Sequence, residues 1–299
     1  MAADVTYPRY LGDVYRPPSE ARSLIVQVMY GCSYNRCTFC GMYADKPFSI
    51  RPYAEVKEDV ERLSSGVKQR VDRVFLADGD ALALPARSMM RILDLLASEL
   101  PRLERVASYA NTRSLLRRSH DELREMRARG LEMLYIGLES GDDEVLARTN
   151  KGVTAAQIIE ACRKAKAAGF RVSLTAILGL GGAGRWLEHA RATGDAFTAI
   201  DPDYIGMLTL MQAPGAPLAE AVARGEFVLP GPEESLRELR EIIAATDVTG
   251  AVFRTTHASN YLAIEGVLPE DKQAMLAALD HVLARGDATR LRPESLRGL

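Results

Sequence analysis

Gly31-Cys32-Ser33-Tyr34-Asn35-Arg36-Cys37-Thr38-Phe39-Cys40-Gly41 holds three of the chain's four cysteines within nine residues. The segment directly follows Leu24–Met29, a run rich in Leu, Ile and Val that reads as a strand. The thiols therefore sit in a loop at a strand's carboxyl end, where barrels and open sheets of the α/β class build their active sites. Soft thiolates at short spacing select zinc or an iron–sulfur cluster. A structural zinc site takes four protein ligands, usually as two paired knuckles. Here Cys162 stands over 120 residues away, and His120, His189, His257 and His281 are scattered. Three ligands in one loop instead suit a four-iron cluster that leaves one iron open to a small molecule; zinc and a chance grouping are the alternatives. Cys162, on an apolar helical face, reads as core packing.

Outward from the loop, strand-like runs at Arg73–Ala77, Arg105–Tyr109, Met133–Leu138, Arg171–Leu178 and Tyr204–Leu210 alternate with amphipathic stretches. Those stretches are Tyr53–Ser64, Arg87–Leu100, Thr112–Arg129, Thr154–Ala168 and Arg185–Ile200, with Gly130 and Gly169 as helix stops. Six β-then-α units in succession predict a parallel sheet with helical crossovers, either doubly wound or curled into a whole or partial barrel. After Pro214 the rhythm changes to helices around Leu218–Arg224, Glu233–Thr246 and Asp271–Ala284. The expected organisation is one domain: an N-terminal extension over 1–23, a core over 24–212 and a C-terminal elaboration over 213–299.

Composition narrows the function classes. With 47% hydrophobic and 26% charged residues, the 299-residue chain is not of disordered, collagenous or disulfide-stapled type. Basic and acidic residues, 38 against 40, nearly cancel, which predicts no nucleic-acid and no membrane partner. No apolar run approaches the ~18 residues of a spanning helix, and Met1–Tyr10 lacks an export pattern. A cytoplasmic protein with reduced thiols is expected.

A strand running into three close cysteines, with Phe39 just before the last, resembles the radical S-adenosylmethionine (SAM) superfamily. The family's usual spacing is Cys-x3-Cys-x2-Cys. This chain has Cys-x4-Cys-x2-Cys, similar to a minority variant that includes small stand-alone Fe–S oxidoreductase-like members. The resemblance spans roughly 24–210 and implies a partial (β/α)6 barrel of TIM type. It implies that Cys32, Cys37 and Cys40 bind a [4Fe-4S] cluster whose fourth iron chelates the amino and carboxylate groups of SAM. One electron, from a reductase or a flavodoxin- or ferredoxin-type donor, then cleaves the sulfonium, and the resulting 5′-deoxyadenosyl radical abstracts hydrogen from a small-molecule substrate.

The same resemblance implies roles at the strand ends. Phe39 packs near adenine, or plugs the barrel mouth as an ordinary loop aromatic; Tyr43 joins it in the cofactor-binding set. Asp78, Gly79 and Asp80 are similar in position to the segment that holds the SAM amino group, a polar turn being the alternative. Glu139 resembles the ribose-binding acid, against a capping or ion-pair role. Arg148 and Lys151 are candidates for the SAM carboxylate, against plain surface charge, and Ser108 and Asn111 are further candidates. Gly179 is expected near adenine. Gly179–Gly184 also reads as G-x-G-x-x-G with Asp201 and Asp203 about 20 residues on, the dinucleotide fingerprint. It lies on the fifth strand rather than in the first βαβ unit and leaves the cysteine loop unexplained. An NAD(P)-dependent oxidoreductase is thus one alternative function; a non-catalytic iron–sulfur or zinc protein is the other. Finally, Phe253–Thr256 is β-prone and is expected to extend the sheet, carrying His257 and Asn260 over the cluster to orient substrate or SAM, with Arg254 as partner for an acidic group. A capped helix start at Ser259 or Asn260 is the alternative there.

Overall fold

Long apolar runs in this chain bury both faces, as strands of a parallel sheet do. Val74, Phe75, Leu76 and Ala77 are all without solvent contact in the computed structural model, which describes residues 5–286 and 291–298. The chain divides into two compact units, one of residues 1–35, 42–136 and 161–172, the other of 36–41, 137–160 and 173–299.

The first unit contains β1 (Leu24–Gln27), β2 (Met29–Tyr30), β3 (Ser49–Ile50), α1 (Tyr53–Glu61), α2 (Ser65–Lys68), β4 (Arg73–Ala77), α3 (Ala86–Glu99), β5 (Arg105–Tyr109), α4 (Thr112–Arg117), α5 (His120–Ala128) and most of β6 (Leu131–Glu139). Parallel registers join Gln27 to Ala77, Leu76 to Ser108 and Tyr109 to Tyr135, so the ends of these strands come level. In α3, Met89, Ile92, Leu93 and Leu96 are buried at helical spacing.

The second unit takes in α6 (Asp143–Arg148), part of α7 (Ala155–Ala167), most of β7 (Arg171–Leu178), α8 (Trp186–Ile200), β8 (Tyr204–Thr209), α9 (Pro217–Ala223), α10 (Pro232–Ala245), β9 (Ala251–Arg254), β10 (Glu265–Leu268) and α11 (Lys272–Arg285). Leu178 pairs in parallel with Thr209, Tyr204 with Val252, and β10 closes antiparallel on β9.

Together the strands form a mixed, largely parallel eight-stranded sheet, β1-β4-β5-β6-β7-β8-β9-β10, beside the small β2–β3 pair. The expected β/α succession is present, and β9 extends the sheet beyond the sixth parallel strand as anticipated. Three details differ. The first apolar run breaks at Val28, whose N–H donates to Ala77 O and whose carbonyl accepts from Arg51 N–H, so β2 turns away to pair with β3. Thr112–Arg129 is two helices, because the Ser119 side chain caps a new start. Strand β10 had no sequence expectation. Gly130 and Gly169 do end their helices, at φ +96° and +90°. Among the described residues no helix is long and apolar enough to cross a membrane.

Candidate active site at the cysteine loop and strand ends

The cysteine loop is clamped at its neck by a carboxylate. Asp78, just past β4 and fully buried, accepts at Oδ2 from Gly31 N–H (3.0 Å), Gln27 Nε2 (3.0 Å) and the Lys46 ammonium (3.1 Å). Gly31 has φ +70°, and a side chain there would run into Lys46 O, so the two ends of the loop touch. Gly79 N–H donates to Gly31 O at 3.1 Å. A Cβ on Gly79 would sit 2.9 Å from the Tyr43 ring and 3.0 Å from Cys32 Cβ, so only glycine lets both approach the end of β4. Tyr43 is buried edge-on to Tyr15, with ring centroids 5.7 Å apart.

Asp80 lies deeper. Its Oδ1 accepts the Asn111 N–H at 2.9 Å, and Oδ2 accepts the hydroxyls of Ser114 and of Ser33 inside the cysteine loop. Burial raises its pKa, while the hydrogen bonds from Ser114, Ser33 and Asn111 and the Arg117 charge pull it down. Asp80 was expected to face the SAM amino group. It is instead saturated by protein donors without solvent contact, and it acts on the loop through Ser33. Asp78 differs, because its second oxygen, Oδ1, is buried with no hydrogen-bond partner. Ser108 Oγ, at the end of β5, is likewise buried and unpartnered. Asn111, expected in the cofactor site, is the N-cap of α4, its side chain accepting from Arg113 N–H at 3.0 Å.

The far limb of the loop is held by other elements. Cys40 N–H donates to Cys37 O at 3.2 Å, closing one turn between the two thiols. Thr38 donates to Thr149 O at 2.9 Å and accepts from Leu218 N–H at 2.8 Å, while Asn150 Nδ2 reaches Arg36 O at 3.0 Å. Phe39 packs on an apolar cluster of Val145, Leu180, Leu210 and Phe227. All four cysteines carry thiols rather than disulfides; Cys32, Cys37 and Cys40 are half-exposed and Cys162 is buried. Burial pushes the Cys162 thiol up to about 12, so it is no source of thiolate. The donor set of the loop therefore fits a thiolate-ligated iron cluster, and the fourth cysteine does not join it. Among the described residues no three His, Cys, Asp or Glu side chains are gathered closely enough to hold a metal ion, so chemistry rather than a formed cage recommends the loop.

Glu139 ends β6 at φ +63°, a left-handed conformation uncommon for a residue with a side chain. Its carboxylate folds back over Gly137, where a Cβ would collide with it, and pairs with Lys151 at 2.9 Å. Arg148, a candidate for the SAM carboxylate, donates from Nη2 to Gly181 O at 2.8 Å, and its guanidinium lies over Phe227. The Gly179–Gly182 turn is buried under the chain that follows α9. A Cβ on Gly179 would stand 3.0 Å from Pro230, and one on Gly182 3.3 Å from the Phe227 ring. These glycines make room for packing, so the turn offers no open cradle for a pyrophosphate, and the dinucleotide alternative is not favoured.

His257 and Asn260 sit in a turn between β9 and β10, and no helix starts there. Asn260 is buried and spent on structure, accepting from Thr209 Oγ1 at 2.9 Å and donating to Met207 O and Thr255 O. His257 Nδ1 accepts from Ser259 N–H at 3.1 Å, and burial with the nearby Arg292 charge lowers its pKa. Sequence reasoning missed Ser33, Lys46 and Ser114, which lie beside recognised residues but reveal themselves only through Asp78 and Asp80.

Comparison with known proteins gives the chain its relatives. The Radical SAM superfamily model matches residues 26–191. The 4′-phospho-dehydrooxetanocin synthase of Priestia megaterium is 25% identical over 173 residues, 52% of this chain and 23% of that protein. The tRNA-2-methylthio-N(6)-dimethylallyladenosine synthase of Bordetella avium is 24% identical over 227 residues, 73% of this chain and 47% of the relative. The chain thus spans less than half the length of either. Among solved structures, coproporphyrinogen III oxidase (HemN) from Escherichia coli is similar at TM-score 0.52 and 19% identity, covering 74% of this chain and 51% of its own. Methylornithine synthase (PylB) is similar at TM-score 0.51 and 19% identity, covering 75% and 63%. These likenesses show the fold. Radical SAM proteins are enzymes that use a [4Fe-4S] cluster and SAM. With the family match covering more than half of its 299 residues and enclosing the three-cysteine loop, this chain belongs to the radical SAM superfamily.

Proposed function

We propose that this chain cleaves SAM reductively to begin radical chemistry on a small-molecule substrate, with a cluster held by Cys32, Cys37 and Cys40. Such a cluster, when bound, passes one electron to the SAM sulfonium, and the protein orients the reactants and excludes side reactions. The observation that carries the reading is the loop itself: three half-exposed thiols on a neck clamped by Asp78. The orphaned Asp78 Oδ1 and Ser108 Oγ are the strand-end acceptors left for an ammonium group, since a buried acceptor without a donor costs about 1–3 kcal/mol. Glu139 and Lys151 are the polar pair left for ribose or carboxylate. Asp80 and Gly79 shape the loop, and His257, its pKa lowered by burial and the Arg292 charge, is assigned to the substrate. A flavodoxin- or ferredoxin-type donor in the cytoplasm completes the reading.

The test is anaerobic reconstitution of the full chain and four single variants. Cys32→Ala, Cys37→Ala and Cys40→Ala should each lose iron, the visible absorbance of a thiolate-bound cluster and production of 5′-deoxyadenosine. Cys162→Ala should keep all three. A cluster lost in Cys162→Ala alone, or a loaded protein that makes no 5′-deoxyadenosine under strong reductant, overturns the proposal.

A further inference from the structure

Apart from the residues already placed, one buried polar chain crosses four elements of the second unit. Ser140, directly after Glu139, His189 on α8 and Glu238 on α10 have no solvent exposure. Ser140 Oγ lies 2.8 Å from His189 Nδ1, and His189 Nε2 lies 3.1 Å from Glu238 Oε1. Both Glu238 oxygens accept the Gly179 N–H at 3.0 Å, and Ser140 Oγ accepts the Asp142 N–H at 2.9 Å. One donor arrangement satisfies every group: the Ser140 hydroxyl donates to Nδ1, and Nε2–H donates to Glu238 Oε1, shared with Ile177 O at 3.2 Å. The same order of groups serves nucleophilic catalysis in hydrolases. Here the complete burial of all three denies a substrate access.

We propose that His189 and Glu238 are positioning residues that fix two strand ends at once, Gly179 after β7 and the Glu139–Ser140 turn after β6. The proposal rests on the reading of those ends as part of the SAM site. Both ends depart from strand geometry: Glu139 holds an uncommon left-handed conformation for a residue with a side chain, φ +63°, and Gly179 turns the chain at φ +83°, which glycine adopts freely. The Glu238 carboxylate grips the Gly179 amide, and at the other end of the same rod the Ser140 hydroxyl holds the residue after Glu139. Every member is satisfied, so the rod has one low-energy arrangement. Its anchor is firm, since α8 and α10 meet so closely that a Cβ on Gly194 would collide with Ala245. Glu238 lies outside the β/α repeat, so a helix of the C-terminal segment sets geometry at the ends of two core strands.

The experiment compares Glu238→Ala, Glu238→Gln, His189→Ala, His189→Gln and Glu139→Gln in the full, cluster-loaded chain. Hydrogen–deuterium exchange is read on the peptides covering 138–142 and 177–182, beside SAM KM and kcat for 5′-deoxyadenosine release. In Glu238→Ala and His189→Ala, exchange in both peptides should rise about tenfold, and SAM KM should rise about tenfold with kcat within about twofold. His189→Gln, which keeps a donor toward Glu238, should recover most of the loss. Should either alanine variant fail to fold, Glu238→Gln, which keeps the shape but loses one acceptor, carries the same test. Wild-type exchange and wild-type KM in the folded Glu238 and His189 variants overturn the positioning role. Wild-type SAM affinity in Glu139→Gln overturns the underlying site reading instead, and the exchange arm still decides whether the rod holds both ends.

Discussion

At Asp80 a carboxylate without solvent contact is held by two hydroxyls and one amide. Its raised pKa means that the folded chain keeps this proton to higher pH than the unfolded chain, where a free Asp titrates near ~3.9. The stability it contributes is complete below the unfolded value and declines as pH rises through the raised folded one. Asparagine removes that titration, still accepts the Asn111 amide and can donate to both hydroxyls. Asp80→Asn should therefore gain stability relative to wild type as pH rises above about 4, the unfolded value, read from urea midpoints at stepped pH. A difference that shrinks as pH rises contradicts the assignment. The sequence showed an acid at a strand end here but not its neighbours. Ser33 and Ser114 lie 47 and 34 residues from Asp80, and no local pattern announces such a meeting.

Helix α5 shows what an element's own residues decide. Ser119 accepts from Glu122 N–H at 3.0 Å, and Glu122 returns a bond to Ser119 N–H at 2.9 Å. This capping box starts a new helix where apolar periodicity alone ran Thr112 through Arg129 together. Ser119→Ala should cost about 1 kcal/mol in urea unfolding, and Glu122→Ala less, with the cluster unaffected. An unchanged midpoint in Ser119→Ala would remove the cap from the account. The signal was present in the sequence as Ser119-His120-Asp121-Glu122. The β2–β3 pair carried none, because two-residue strands have no period to read. The partners of Asn260 were hidden for a different reason: Thr209, Met207 and Thr255 come to its side chain only once β8 and β9 are paired.

For the whole molecule, SAM is a ligand of the folded state and not of the unfolded one. At about 100 times its dissociation constant it should add about 2.7 kcal/mol, seen as a higher anaerobic melting temperature of the loaded protein. The triple Cys32→Ala, Cys37→Ala, Cys40→Ala chain should show no such rise. A loaded protein that melts at one temperature with and without SAM would speak against SAM as its ligand. The family was legible because nine residues carry it, and the β/α succession because each unit signals itself locally. What stayed hidden depends on chain distance, as with Glu238, which reaches Gly179 across 59 residues.

The Asp78 clamp changes the entropy of metal capture. Gly31 and Lys46 are held together before any metal arrives, so the segment between them is already a closed ring. Closing a loop of about 15 residues costs roughly 2.4 kcal/mol by chain statistics. Folding has met that cost in advance. Under the proposed ligation, thiols carried on this closed ring would meet an iron ion at a higher effective concentration than on an open chain, with the ring closed at the Asp78 neck.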